Sequence, residues 1–338
     1  MEKNVKRCLK ALEKFHSTHS DPRIWCLGTV GIIDCISIRM EGFPTQPLEE
    51  IQTHDEVIHA ASEETRLTAS MKAAYRALDT FCELPDETRA KYERVSPDNH
   101  GYVKPDAEKF SDEMELRHAF NVTGCEGNLP EEVQGFRPAL DELARDFKQL
   151  STMLLAALSV GLEQSYDFLL SKHAHILGPG NESTLRLLYY PPLGTPVQGL
   201  TRCGAHCDYG TFTLLAQDCE GGLEIQTLHG ERWGRVGHLP GAILVNTGEL
   251  LAHWTNGQLP ALRHRVVMPE HCGRGRHSIA FFVHPDDDVA IEPLDIKITA
   301  AGGDCQETTT PCRLQKKKRG VLSAYQHLQR RFRETYAS

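Results

Sequence analysis

The chain has no Cys-x-x-C pair anywhere in its 338 residues, and its eleven cysteines are odd in number and scattered. That pattern excludes a paired-cysteine zinc module and argues against a disulfide framework. No secretory leader is recognised, so a reducing compartment, the cytoplasm, is the expected location. A comfortable membrane span is also missing: the apolar run from Ile24 to Ile38 is broken by Asp34 and is expected to form buried strands or a helix. Positive charge is scarce, with 37 Lys and Arg against 46 Asp and Glu and a formal net charge of −9. Broad affinity for a phosphate backbone is therefore not expected, and no nucleic-acid partner is assigned. The one concentrated basic run, Lys316-Lys317-Lys318-Arg319, reads as a solvated lead-in to the last helix. No internal repeat is visible. Asn121-Val122-Thr123 and Asn181-Glu182-Ser183 match glycosylation acceptors, but a cytoplasmic chain would never meet the enzyme that uses them.

What is present begins with an ordinary globular composition, 40% hydrophobic and 25% charged, which suits one large domain with helical additions. The informative residues are His206-Cys207-Asp208, followed by His264 within Arg263-His264-Arg265-Val266-Val267. Two imidazoles and a carboxylate form the ligand set that holds non-heme iron(II) on one face and leaves positions open for other molecules. The tripeptide alone proves little, because His-x-Asp also occurs at His19-Ser20-Asp21 and His284-Pro285-Asp286. Context separates the copies. His206 precedes Tyr209 to Leu215, rich in β-branched and aromatic residues, and an extended backbone turns His206 and Asp208 the same way. His264 lies in a second such run, whereas the other two copies read as a turn and as a loop after a strand. Cys203 and Cys207 bracket the motif and are expected as small buried residues or oxidation liabilities.

Arg276 and Ser278 sit two apart on a third run, His277 to Val283, and so share one face of a strand. A guanidinium fork with a neighbouring hydroxyl matches a carboxylate, which makes this pair a seat for the far end of a dicarboxylate.

These pieces together resemble the isopenicillin N synthase-like family of iron(II)- and 2-oxoglutarate-dependent dioxygenases. Also similar are Leu185 to Pro192 ahead of the triad, Gly221-Gly222-Leu223-Glu224-Ile225 after it, and Trp254-Thr255-Asn256-Gly257 before the distal histidine. The likeness runs from about Leu67, through Leu84-Pro85 and Gly101-Tyr102, to the C-terminal helix. The resemblance implies that His206, Asp208 and His264 bind Fe(2+) and that Arg276 and Ser278 hold the distal carboxylate of 2-oxoglutarate. It also implies that Tyr190 offers its hydroxyl to the same co-substrate, and that Phe212 and Phe282 wall the substrate pocket. The implied reaction uses O2 to oxidise a small organic molecule by hydroxylation, desaturation or cyclisation, with release of succinate and CO2 and no catalytic side chain beyond the metal ligands. Two departures stand out: Leu188 occupies a position where many relatives carry asparagine, and a Gly-Phe-Phe…Asn-His-Gly stretch is not found. Two alternatives stay open. One is an iron oxidase of the same fold that dispenses with 2-oxoglutarate and draws electrons from substrate or ascorbate; the other is a non-catalytic binding module.

The expected fold is mainly β with flanking helices around a double-stranded β-helix, or jelly roll. Residues 1–65 are expected as a divergent leader and 66–180 as the helical N-terminal part of an oxygenase. Residues 181–300 form the jelly-roll core, and 301–338 a loop and C-terminal helix. Within this frame, helical spacing predicts one helix over 67–84 and another over 136–158. Short strands broken by turns run from 183 to 284, Thr299 to Thr310 reads as a loop, and a last helix over 319–336 packs across the outside. Oligomeric state is unreadable.

Overall fold

The computed structural model describes residues 25–27, 36–39, 66–124, 127–193, 200–226, 232–238, 242–268, 273–294 and 322–336. The expected loop over 299–310, the basic run at 316–319 and the His19-Ser20-Asp21 copy lie outside them. No helix among the described residues is long and apolar enough to cross a membrane.

Among the described residues, strands β1 (Trp25–Leu27) and β2 (Ile36–Arg39) come first, then helices α1 (Arg66–Glu83) and α2 (Asp86–Ala90). Strands β3 (Gly101–Val103), β4 (Met114–Glu115) and β5 (His118–Val122) lead to helix α3 (Phe136–Gly161). The strand-rich half follows: β6 (Thr184–Tyr190), β7 (Leu200–Thr201), β8 (Cys203–His206), β9 (Phe212–Gln217), β10 (Leu223–Gln226), β11 (Trp233–Arg235) and β12 (Ala242–Thr247). Helix α4 (Glu249–Trp254), β13 (His264–Val266), β14 (Arg276–Val283) and helix α5 (Ala324–Thr335) complete it.

An eight-stranded sheet in the order β1-β2-β12-β9-β14-β6-β5-β3 faces a four-stranded sheet in the order β11-β10-β13-β8. All pairings within both sheets are antiparallel, as a double-stranded β-helix requires. Within the expected divergent leader, β2 extends the large sheet by pairing with β12, and β1 forms its edge.

The large sheet is buried on both faces, and strict alternation sorts its side chains. On β6, β9 and β14 one parity (Leu185, Leu187, Leu214, Ala216, Ile279, Phe281) packs with helices α1 and α3 in the larger core. The other parity (Leu188, Tyr190, Leu215, Ala280, Phe282) turns into the roll. Helix α3 presents Phe136, Leu140, Leu143, Phe147, Leu150 and Leu154 to that larger core at the spacing its sequence predicts. Phe81 of α1 meets Tyr102, Phe120 and Tyr92 edge-on at 5.1–6.1 Å, binding the helix layer to β3 and β5. Helix α1 stops before Leu84-Pro85, since the residue preceding proline disfavours helical torsions.

Candidate metal and carboxylate site

His206 ends β8 and lies directly across from His264 on β13. In each ring Nδ1 meets the carbonyl two residues back: Gly204 at 2.8 Å for His206 and Leu262 at 3.0 Å for His264. A carbonyl only accepts, so Nδ1 carries the proton and the Nε2 lone pair is left to face inward. Both Nε2 atoms stand 3.8 Å from Asp208 Oδ1. One ligand atom from each of the three residues lies within 4.8 Å of the others, a group able to hold a metal ion.

Asp208 lies just past the end of β8, in the turn before β9. Its Oδ2 accepts from Thr213 Oγ1 at 2.6 Å and Asn246 Nδ2 at 2.7 Å, while Oδ1 points at the imidazoles. Thr213 and Asn246 are a cross-strand pair on β9 and β12. Burial would push the Asp208 carboxyl up, but His264 and His206, with these two hydrogen bonds, outweigh it and hold the acid below its ordinary range. Burial is also the main reason the His264 imidazole is pushed down, which favours the neutral, ligating form.

Close backbone approach fixes the turn that carries Asp208. A Cβ on Gly210 would sit 2.4 Å from the Val283 carbonyl oxygen, and one on Gly248 would sit 2.3 Å from that of Gly210. The first amides of α4 donate to the same turn, Glu249 to the Asp208 carbonyl and Leu250 to the Gly210 carbonyl, which satisfies helix-end donors that would otherwise be orphaned. Phe110 stacks on the outer face of His206 at 4.0 Å and 11°.

Deeper in the roll, Arg276 opens β14 opposite Tyr190 on β6. It is 1% exposed. Nη1 donates to Ser278 Oγ at 3.1 Å and Nη2 to Gln217 Oε1 at 3.0 Å, and the guanidinium lies 4.9 Å from the Tyr190 ring centre. Nε has no hydrogen-bond partner, and among the described residues no carboxylate forms an ion pair with Arg276. Asp218 acts on it through its charge alone, and a buried cation without a paired counter-ion costs several kcal/mol, on the order of an ion's desolvation penalty, so its fork can receive an anion that enters the cavity. The cavity is lined by Arg276, Ser278, Tyr190 and all three members of the triad. Its donors suit a carboxylate at the arginine end and a metal at the other.

A second cavity meets the first at His206, Asp208, Phe110, Arg186 and Phe282. Leu328, Phe332 and Tyr336 close it. The C-terminal helix therefore lines this space rather than lying across the outside, with its start set by a capping box between Ser323 and Gln326. In the cavity wall, Glu108 Oε2 takes Arg117 and Arg186, each at 2.9 Å, and Arg117 also pairs with Glu115. Burial opposes ionisation of Glu108, but the two guanidiniums bring it down to about 2.

Phe282 lines both cavities, but Phe212 lines neither and sits 1% exposed in the larger core. The reason is parity: Thr213 faces Asp208, so Phe212, one residue earlier, points to the helix layer. The competing His-Pro-Asp copy also resolves. Asp286 organises a loop by accepting from the amides of Ala174 and His175 and from Asn181 Nδ2. The two asparagines of the glycosylation matches, Asn121 and Asn181, are both buried. Thr213, Asn246 and Gln217 escaped the sequence reading. Asn246 had left a trace as the lone amide after the apolar run Ala242-Ile243-Leu244-Val245.

The family model described as the 2OG-Fe(II) oxygenase superfamily matches residues 181–285. Among curated relatives, the 2-oxoglutarate-dependent dioxygenase htyE of Aspergillus rugulosus is 32% identical, over 53% of this chain and 58% of its own length. The proline hydroxylase buaE of Petromyces alliaceus is 33% identical, over 64% of each. The chain thus spans less than two thirds of either relative. Among solved structures, a 2OG-Fe(II) oxygenase family protein from Caulobacter crescentus is 28% identical, with a TM-score of 0.63 over 79% of this chain and 86% of that one. A full-length Neurospora crassa protein solved in complex with alpha-KG and thymine is 23% identical, with a TM-score of 0.64 over 79% and 83%. Roll, triad and matched segment coincide on the same strands, and residues 181–285 are similar to the 2OG-Fe(II) oxygenase superfamily.

Proposed function

We propose that the chain is an iron(II)- and 2-oxoglutarate-dependent dioxygenase that oxidises a small organic molecule. The observation that carries this is Arg276, a buried guanidinium with no carboxylate partner among the described residues, in the cavity that contains the triad. His206 and His264 would supply Nε2 and Asp208 its Oδ1 to Fe(2+). Arg276 and Ser278 would grip the distal carboxylate of 2-oxoglutarate, with the buried Tyr190 ring packed against the guanidinium. When bound, iron(II) supplies the redox chemistry that couples O2-dependent decarboxylation of 2-oxoglutarate, to succinate and CO2, with oxidation of a substrate carbon. The protein's part is orientation and exclusion of water. Thr213 and Asn246 hold Asp208 in place, the backbone carbonyls of Gly204 and Leu262 hold the imidazole tautomers, and Phe110 covers His206.

Relatives named as a proline hydroxylase and as gibberellin 20 oxidases, and a structural neighbour holding thymine, support a small organic substrate. A cytoplasmic location fits the described cysteines Cys82, Cys203, Cys207 and Cys219, none of which is in a disulfide among the described residues; cell fractionation checks it. The test of function is anaerobic addition of Fe(II) and 2-oxoglutarate, followed by O2 and measurement of succinate. Wild type should give a weak visible charge-transfer band and slow succinate release. Arg276→Leu, which keeps bulk and removes the fork, should weaken 2-oxoglutarate binding by about 10²-fold, from roughly 3 kcal/mol of lost charge-assisted hydrogen bonding. Full 2-oxoglutarate affinity in a folded Arg276→Leu protein would refute the reading.

A further inference from the structure

Away from Asp208 and His206, the wall of the second cavity offers its occupant hydrogen bonds but no unmatched charge. Arg186 commits Nε to Asn121, Nη1 to Glu108 and Nη2 to the Tyr336 hydroxyl. Arg117 divides itself between Glu108 and Glu115. Two guanidiniums face two carboxylates and neutralise one another. This is the reverse of Arg276, whose charge has no such partner. A carboxylate or ammonium placed against this wall would have to break a buried pair to be accommodated.

His284 is a further polar side chain of this wall. It lines the same cavity and is 6% exposed. Its backbone is clamped: the amide donates to Ser183 Oγ at 3.0 Å, and the carbonyl accepts from Asn181 Nδ2 at 2.9 Å and from Ser183 Oγ at 3.3 Å. Its imidazole has no hydrogen-bond partner among the described residues. Burial, with His327 and His173 nearby, pushes the ring down to about 3, so it stays uncharged and keeps one donor and one acceptor. Buried polar groups are nearly always paired in native proteins, and this one faces the space beside the triad.

Building on the dioxygenase reading above, we propose that His284 is a specificity residue whose imidazole hydrogen-bonds an uncharged amide, carbonyl or hydroxyl group of a small substrate held against Phe282, Leu328 and Phe332. The selectivity follows from the wall. An uncharged polar ring satisfies the imidazole without disturbing the Glu108–Arg186 pair, whereas an anion, cation or zwitterion of the same size does not.

The test is ligand-observed NMR titration of the full chain loaded with Zn(II) and 2-oxoglutarate, using six-membered rings as probes: 2-piperidone, cyclohexanol, piperidine and cyclohexanecarboxylate, with proline as a zwitterion. The two uncharged rings should bind and the charged ones should not. His284→Phe should weaken the uncharged probes by about tenfold, the loss of one hydrogen bond, while His284→Gln, which keeps a donor and an acceptor, should stay close to wild type. Thermal melts of both variants establish that they are folded. Preference for a charged probe, equal binding by a folded His284→Phe protein, or no binding of either uncharged ring at millimolar concentration would each overturn the proposal. The visible band of wild type with Fe(II) and 2-oxoglutarate reports separately on the dioxygenase reading: its absence sinks that reading, whereas a normal band with charged probes preferred sinks only this one.

Discussion

Replacing Asn246 by alanine removes one of the two donors that hold Asp208 Oδ2. The amide lies 2.7 Å from that oxygen, and Thr213 Oγ1 lies 2.6 Å from it on the other side. Asp208 is 4% exposed, so no bulk water replaces the lost donor at full value. A hydrogen bond to a buried carboxylate is worth about 1.5–3 kcal/mol, and loss of an outer partner of a metal ligand typically costs about 10–100-fold in metal affinity. Asn246→Ala should therefore raise the dissociation constant for Mn(II), a redox-quiet stand-in for iron, by about 10–100-fold. Because Thr213 serves the same oxygen, Thr213→Val should produce a similar loss, and the double variant should lose less than the sum of the two, since neither donor acts independently. Isothermal titration with Mn(II) under saturating 2-oxoglutarate measures all three. Wild-type affinity in a folded Asn246→Ala protein would refute the claim that this amide orients the carboxylate for metal.

Further outcomes follow from the same geometry. His277 lies on the helix-facing side of the strand that carries Arg276 and contacts Asp79 at 2.6 Å and Asp218 at 3.5 Å. Burial works against its charge, but those two carboxylates raise it to about 9. The folded value is above the unfolded value of about 6.5, so the stabilisation is complete below that pH and is lost as pH rises through about 9. The Asp79 side chain is 40% exposed, and allowing for screening by water the effect is about 1–2 kcal/mol. Thermal melts from about pH 6 to about pH 10, a window that brackets both values, should show wild type losing this margin and His277→Gln lacking it; parallel curves would refute the assignment. Gly248→Ala would place a methyl group 2.3 Å from the Gly210 carbonyl oxygen. It should destabilise the fold by about 1–3 kcal/mol and weaken Mn(II) binding, because the turn that yields is the one holding Asp208; an unchanged melting temperature would contradict the packing.

The triad and the arginine–serine pair were legible because each is local in sequence and rests on the two-residue repeat of an extended chain. His206 with Asp208, and Arg276 with Ser278, needed no knowledge of the rest of the molecule. Helices α1 and α3 were equally legible, since an apolar stripe at helical spacing has few other uses. The same two-residue rule, carried one step further, would have placed Phe212 on the helix side, because Thr213 already faced the metal site. The partners of Asp208 lay beyond this kind of reading. Asn246 lies 38 positions away and reaches the carboxylate only because β12 pairs with β9. Likewise, Glu108, Arg186 and Tyr336 meet only when a loop, a strand and the C-terminal helix converge. Sequence by itself determined which side chains with metal- and carboxylate-binding chemistry share a strand face, because that depends on residue type and short spacing. Tertiary structure decided which charges are cancelled and which are left open, because a buried ion's partner is chosen by strand order and helix placement, and those contacts close over long separations.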